Sequence, residues 1–198
     1  MRDVWKLGFI LFAICAVAAG ALAFVNDITE ERIAAQAAMK LEQALASVVP
    51  GADEFKDETD RVLAVAPPAS RGGRPEFSAI TKVYVGYKNG EMAGAAFACS
   101  PSGYGGPIDA VVGVSRDGVV TGLTVVKHSE TPGLGANVTN RDFQMRFVGL
   151  RAGTPVKVTK DGGQVEAITG ATISSRAVAS GVDEALRLFE LASREGVW

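Results

Sequence analysis

Residues Leu7 to Val25 form nineteen consecutive positions without a charge, and nothing else in the chain limits its fold so strongly. Coiled as an α-helix, a run of this length crosses a hydrocarbon core of ~30 Å. Gly8, Ala13, Ala16, Ala18, Ala19, Gly20, Ala21 and Ala23 make it rich in small residues, which suits close packing against other membrane helices. Arg2 and Lys6 precede the run, whereas Asp27, Glu30 and Glu31 follow it before Arg32. The positive-inside rule therefore leaves the N-terminus in the cytoplasm and sends the bulk of the chain outward. A cleaved signal peptide is the rival reading, with small residues from Ala19 to Ala23 at the end of the run. The length of the run and the interfacial Trp5 favour a retained single-span anchor.

The remaining residues, about 170, suffice for one domain with its own core. A net charge of −2 gives no basis for nucleic-acid binding. Of the two cysteines, Cys15 lies in the apolar run and Cys99 in an expected strand, so no disulfide joins them. The sequence has no CxxC and no four-cysteine array, which argues against covalent haem, iron–sulfur clusters and structural zinc. One histidine, His128, cannot build a His-rich metal site, so no metal is expected. Redox chemistry, if present, falls to an organic cofactor.

Thr29 to Val48 reads as a helix, with Ile33, Ala37, Leu41, Ala44, Leu45 and Val48 at helical spacing and Pro50-Gly51 as its stop. The acidic stretch Asp53–Asp60 and the Pro-, Gly- and Arg-rich stretch Pro67–Pro75 read as a surface excursion. Two hairpins follow. Thr81–Tyr87 alternates and returns as Met92–Cys99 across Asn89-Gly90, and Ile108–Val114 returns as Val119–Val126 across Asp117-Gly118. A helix over Asn140–Val148 and a strand over Val156–Thr159 come next. The expected fold class is α+β: a single membrane helix, then an antiparallel sheet flanked by helices. The expected boundaries are 1–26 for the N-terminus and anchor, 27–52 for a connecting helix, and 53–198 for the domain.

Glu166 to Ser175 places a small-residue turn and several hydroxyls before an amphipathic helix carrying Val178, Val182, Ala185, Leu186 and Phe189. Free N–H groups and the positive end of a helix dipole attract anions, above all phosphate. Gly170 lets backbone approach a ligand, and Thr172, Ser174 and Ser175 add hydroxyls. The plainer reading is an ordinary helix cap. Thr169-Gly170-Ala171-Thr172, however, resembles the Ser/Thr-Gly-Ala-Thr flavinylation motif of FMN-binding domains. These occur in the G subunit of the Rnf electron-transport complex and the C subunit of the sodium-pumping NADH:quinone oxidoreductase. The resemblance implies that Thr172 carries FMN through a phosphoester made by a separate flavin transferase. Glu166 stands where that family usually has Asp.

Two loops add to the resemblance. Ser100–Pro107 is glycine-rich but lacks Gly-Lys-Ser/Thr, so it is no nucleotide-triphosphate loop; alone it reads as a flexible turn. His128-Ser129-Glu130-Thr131-Pro132-Gly133-Leu134-Gly135 is similar to the His-x-Glu-Thr-Pro-Gly-Leu-Gly segment of the Rnf G subunit. The family then implies a flavin pocket using Tyr104, His128, Glu130, Thr131, Gly133 and Leu134 besides Thr169, Gly170, Ala171, Ser174 and Ser175. It implies a covalent FMN electron carrier within an ion-translocating oxidoreductase of the bacterial inner membrane. Its domain would be extracytoplasmic and its partners the other subunits of the complex. The alternatives are the quinone-reductase C subunit, a stand-alone FMN-binding electron donor, and a cofactor-free membrane-tethered binding or scaffold protein.

Overall fold

The computed structural model describes residues 2–67 and 76–198; the Pro-, Gly- and Arg-rich stretch, Pro67 aside, lies outside the described residues. The chain divides into two compact units, Met1–Leu41 and Glu42–Trp198. The described residues of the first unit lie within a helix, α1 (Arg2–Val48). The expected anchor and connecting helix are thus parts of one continuous element, because no Gly or Pro interrupts residues 26–48. Thr29 satisfies its hydroxyl by donating to the Val25 carbonyl at 2.8 Å, a bond that helices accommodate. Along the apolar run Phe9, Phe12, Val17 and Leu22 each expose 70% or more of their surface. The helix is long and apolar enough to cross a membrane.

The second unit is built on a five-stranded antiparallel meander, each strand pairing with the next in sequence. The strands are β1 (Glu54–Asp57), β2 (Ile80–Lys88), β3 (Glu91–Cys99), β4 (Asp109–Ser115) and β5 (Val120–Lys127). Asn89 and Gly90 both take positive φ, 51° and 85°, the geometry of the primed turn that matches strand twist. Both expected hairpins are present. β1 is additional: the acidic segment supplies a short, charged edge strand, which blunts pairing with other chains. Helix α2 (Thr59–Leu63) follows, held by Thr59 Oγ1, which accepts the Val83 N–H at 2.9 Å.

One face of the sheet is covered by α4 (Thr172–Arg194). Val178, Val182, Ala185, Leu186 and Phe189 are buried there against a cluster that includes Val83, Phe97, Val112 and Val114. Each large apolar side chain removed from water contributes about 1.5–3 kcal/mol. The anticipated amphipathic stripe is therefore the main lid of the core.

The other face carries a seam of glycines on which the chain leaving α1 lies. Gly86 pairs with Gly94, and Gly113 with Gly122, across neighbouring strands. A Cβ on Gly113 would stand 2.0 Å from the Val48 carbonyl oxygen, and one on Gly122 would stand 2.9 Å from Val48 Cα. The Thr121 hydroxyl donates to that same carbonyl. Val48 and Val49 are buried as a result.

After β5 the expected helix over Asn140–Val148 is shorter: α3 (Arg141–Gln144) passes into a 3-10 turn, Met145–Phe147. Phe143 and Phe147 meet edge to face at 5.3 Å. The strand expected over Val156–Thr159 reduces to one parallel bridge between Val158 and Val165. The Asp183 carboxylate accepts the Val156 N–H at 2.7 Å, so a helix side chain takes the place of a strand neighbour. With these adjustments the fold is α+β, a sheet flanked by helices, as the patterning requires.

Candidate functional site

Four segments converge at the N-terminal end of α4: the loop Ser100–Pro107, the loop His128–Gly135, the 3-10 turn Thr159–Asp161 and the turn through Gly170. They enclose a cleft of about 570 Å³ lined by Tyr104, Glu130, Thr131, Leu134, Gly135, Lys160, Gly170, Ala171, Thr172, Ile173 and Ser174. That volume lies within the ~300–1,000 Å³ typical of cofactor sites.

Gly170, at φ 78°, turns the chain into α4, and Ala171 occupies the capping position without a side-chain hydrogen bond. The first N–H groups of a helix have no intrahelical acceptor, so this end presents donors and positive potential to the cleft. The hydroxyls nearest to it are engaged elsewhere. Thr172 Oγ1 accepts from Lys160 Nζ at 3.1 Å. Ser174 donates to the Glu130 carboxylate at 2.5 Å. Ser175 donates to the Ala171 carbonyl at 2.9 Å and accepts the Ile168 N–H at 2.9 Å. Ser174 and Ser175 are 1% and 0% exposed, whereas Thr172 is half-buried and lines the cleft. Ser175→Ala should therefore cost about 1–2 kcal/mol, read as a lowered Tm, because it takes the acceptor from the part-buried Ile168 N–H. An unchanged Tm would show that the Ile168 N–H finds water instead.

Glu130 is buried and joins three segments. One oxygen accepts the Gly105 N–H at 2.9 Å and the other accepts from Ser174, while its own N–H donates to His128 Nδ1 at 3.2 Å. Accepting at Nδ1 places the proton of the neutral imidazole on Nε2. A Cβ on Gly103 or Gly135 would come within 2.3 or 2.2 Å of the two Glu130 oxygens, so both glycines make room for the carboxylate.

Lys160 carries a cation to Thr172 that the sequence pattern does not single out. It sits twelve residues earlier, in a turn closed by Gly162 at φ 79°. The turn is clamped to α4 by Asp161, which accepts from Arg176 Nε and Nη2 at 2.6 Å each. Those hydrogen bonds hold the Asp161 carboxyl below the usual carboxylate range. A depressed carboxyl contributes stability above its unfolded pKa and loses it only as the pH falls through the folded value, so the clamp is intact at neutral pH.

The apolar side of the cleft is open. Among the described residues of the second unit the exposed large hydrophobic ones are Tyr104, Leu134, Met145 and Ile173, and three of these four line the cleft. Thr169, His128, Gly133 and Ser175 lie beyond its lining: Thr169 and Gly133 are exposed, His128 supports Glu130, and Ser175 supports the turn. Among the described residues no three His, Cys, Asp or Glu side chains gather to hold a metal. Burial pushes the Cys99 thiol up to about 12, which removes it as a nucleophile at neutral pH.

Comparison with known proteins gives two family matches. The FMN-binding domain matches residues 103–187, a span that holds every residue lining the cleft, and the RnfG N-terminal region matches residues 1–48. The chain is 39% identical over 199 residues to the G subunit of the Na(+)-translocating ferredoxin:NAD(+) oxidoreductase complex of Acetobacterium woodii, covering 98% of this chain and 95% of that one. It is 34% identical to the G subunit of the ion-translocating oxidoreductase complex of Methanosarcina acetivorans, covering 93% of this chain and 94% of the relative. Among solved structures, the C subunit of the Na(+)-translocating NADH-quinone reductase of Parabacteroides distasonis superposes with a TM-score of 0.47. It is 25% identical and covers 56% of this chain and 61% of that one.

Proposed function

The chain belongs to the family of G subunits of ion-translocating oxidoreductase complexes, and from that premise we propose that it is a membrane-anchored electron carrier with FMN joined by a phosphoester to Thr172. The observation that carries the reading is the setting of Thr172: a half-buried hydroxyl in a cleft, on an uncapped helix start, against an ammonium. The donors there match a phosphate, and the cleft beyond them is lined by Leu134, Tyr104 and Ile173, which match a flat apolar ring. When bound, a flavin takes up two electrons together and can release them singly, which suits a relay between unlike carriers.

In this reading Thr172 is a tether and takes no part in electron transfer. Lys160 and the first N–H groups of α4 hold the phosphate. Leu134, Tyr104 and Ile173 shield the ring from water, and Gly170 allows the chain to pass close beneath it, its missing Cβ only 3.1 Å from Leu134 Cδ2. Glu130 fixes the two loops relative to Ser174. Helix α1 spans the inner membrane with its N-terminus in the cytoplasm, so the cleft faces the extracytoplasmic side. The partners are the other subunits of the complex, and maturation requires a flavin transferase.

The test is to produce the full chain with a flavin transferase, denature it, and map the flavin by peptide mass. The peptide containing Thr172 should gain the mass of FMN less one water. No covalent flavin, or flavin on another peptide, would overturn the reading. Leu134→Asp should leave attachment intact but shift the flavin absorption and quench or enhance its fluorescence, since a carboxylate enters the apolar wall. Spectra identical to wild type would remove Leu134 from the ring's surroundings.

A further inference from the structure

Building on the Thr172 reading, we propose that Lys160 stabilises the phosphoryl group as it is transferred to Thr172 and then neutralises the finished diester. Three observations support the assignment. Lys160 Nζ donates to Thr172 Oγ1 at 3.1 Å, so the cation already sits on the atom that is to bond phosphorus. Asp161, the adjacent carboxylate, is taken up by both donors of Arg176 and does not compete for that charge. The same clamp joins the turn bearing Lys160 to the first turns of α4, four residues beyond Thr172, and so fixes the ammonium beside the free N–H groups of the helix.

The step balances as a phosphoryl transfer without redox change. The Thr172 Oγ–P bond forms and a P–O bond of a pyrophosphate-linked flavin dinucleotide breaks. The nucleoside monophosphate leaves with the electron pair. Because Thr172 accepts from Lys160, its own proton points elsewhere and is free to pass to a base on the transferase. Charge in such a transition state spreads over the non-bridging oxygens, and a fixed cation beside them lowers the barrier. Lys160 is thus a phosphate-binding residue of the acceptor, with a role beyond packing.

The test uses the full chain in detergent with purified flavin transferase and flavin adenine dinucleotide, following covalent fluorescence against time. Lys160→Gln should slow attachment by about tenfold or more, with the loss in kcat rather than KM. Lys160→Arg should restore most of the rate. Added salt should slow the wild type and leave Lys160→Gln nearly unaffected. Melting temperatures should be equal, since Lys160 is exposed. Equal rates for wild type and Lys160→Gln would overturn the proposal while leaving Thr172 as the acceptor. A loss confined to KM, or an arginine variant as slow as the glutamine one, would also overturn it, making Lys160 a docking or shape contact. A wild-type chain that takes up no flavin would instead defeat the attachment reading itself.

Discussion

Thr172→Ala is expected to abolish covalent flavin while leaving the fold standing. The hydroxyl's hydrogen bond is to Lys160, a surface cation, and it does not cap α4, so its removal should cost no more than about 1 kcal/mol. Neither Ser174 nor Ser175 is placed to take over. Ser174 is held by the buried Glu130 carboxylate, and Ser175 is bonded to Ala171 and Ile168 with no exposed surface. Reaching either would mean unwinding the first turn of the helix. Denatured-gel fluorescence of wild type beside the variant, each made with the transferase, decides the matter: a bright band and a dark one are expected. A bright variant band would move the acceptor to Thr169 or Thr131.

The largest effect on stability should come from Gly113→Ala. The added methyl would meet the Val48 carbonyl oxygen at 2.0 Å and its carbon at 2.5 Å, both backbone atoms. Neither can move without breaking the Thr121–Val48 hydrogen bond and lifting Val48 and Val49 from the sheet. A loss of about 3 kcal/mol or more is expected, at the upper end for overpacked sites. Thermal unfolding of the full chain in detergent would read it. Gly90→Asn makes the comparison: space at Gly90 is open and asparagine tolerates its positive φ, so that variant should melt near wild type. Equal Tm values for Gly113→Ala and wild type would show that the seam yields.

The elements legible in the sequence are those whose pattern and packing agree. The β2–β3 hairpin is written in alternation around Asn89-Gly90, and α4 in an apolar stripe that one sheet face needs. β1 is hidden because its stability comes from pairing with β2, and its acidic residues suit an edge. The stretch Val156–Thr159 has strand-forming residues, yet its backbone bonds close locally on Val165 and its neighbours, and the Val156 N–H goes to Asp183 of α4, far along the chain. At the cleft, the Gly-Ala-Thr turn and the His128–Gly135 loop stand out as words. Lys160 does not, because a lone lysine in a polar turn gains meaning only when Asp161 and Arg176 bring it to Thr172. The loop's wording points to Glu130 but not to its partners: it lines the cleft while its two oxygens accept from Gly105 and Ser174, which only the third dimension reveals.

The glycine seam also sets an order of assembly. Val48 leaves the ribosome 74 residues before Gly122, against which it must pack. At the usual pace of synthesis that interval is roughly 4–15 seconds. Through that time Val48 lacks its place on the sheet, although Val49 can already meet Gly86 and Gly94, made 37 and 45 residues after it. The N-terminal part of the unit is thus made first, yet its seat on the sheet is complete only when the final hairpin has formed.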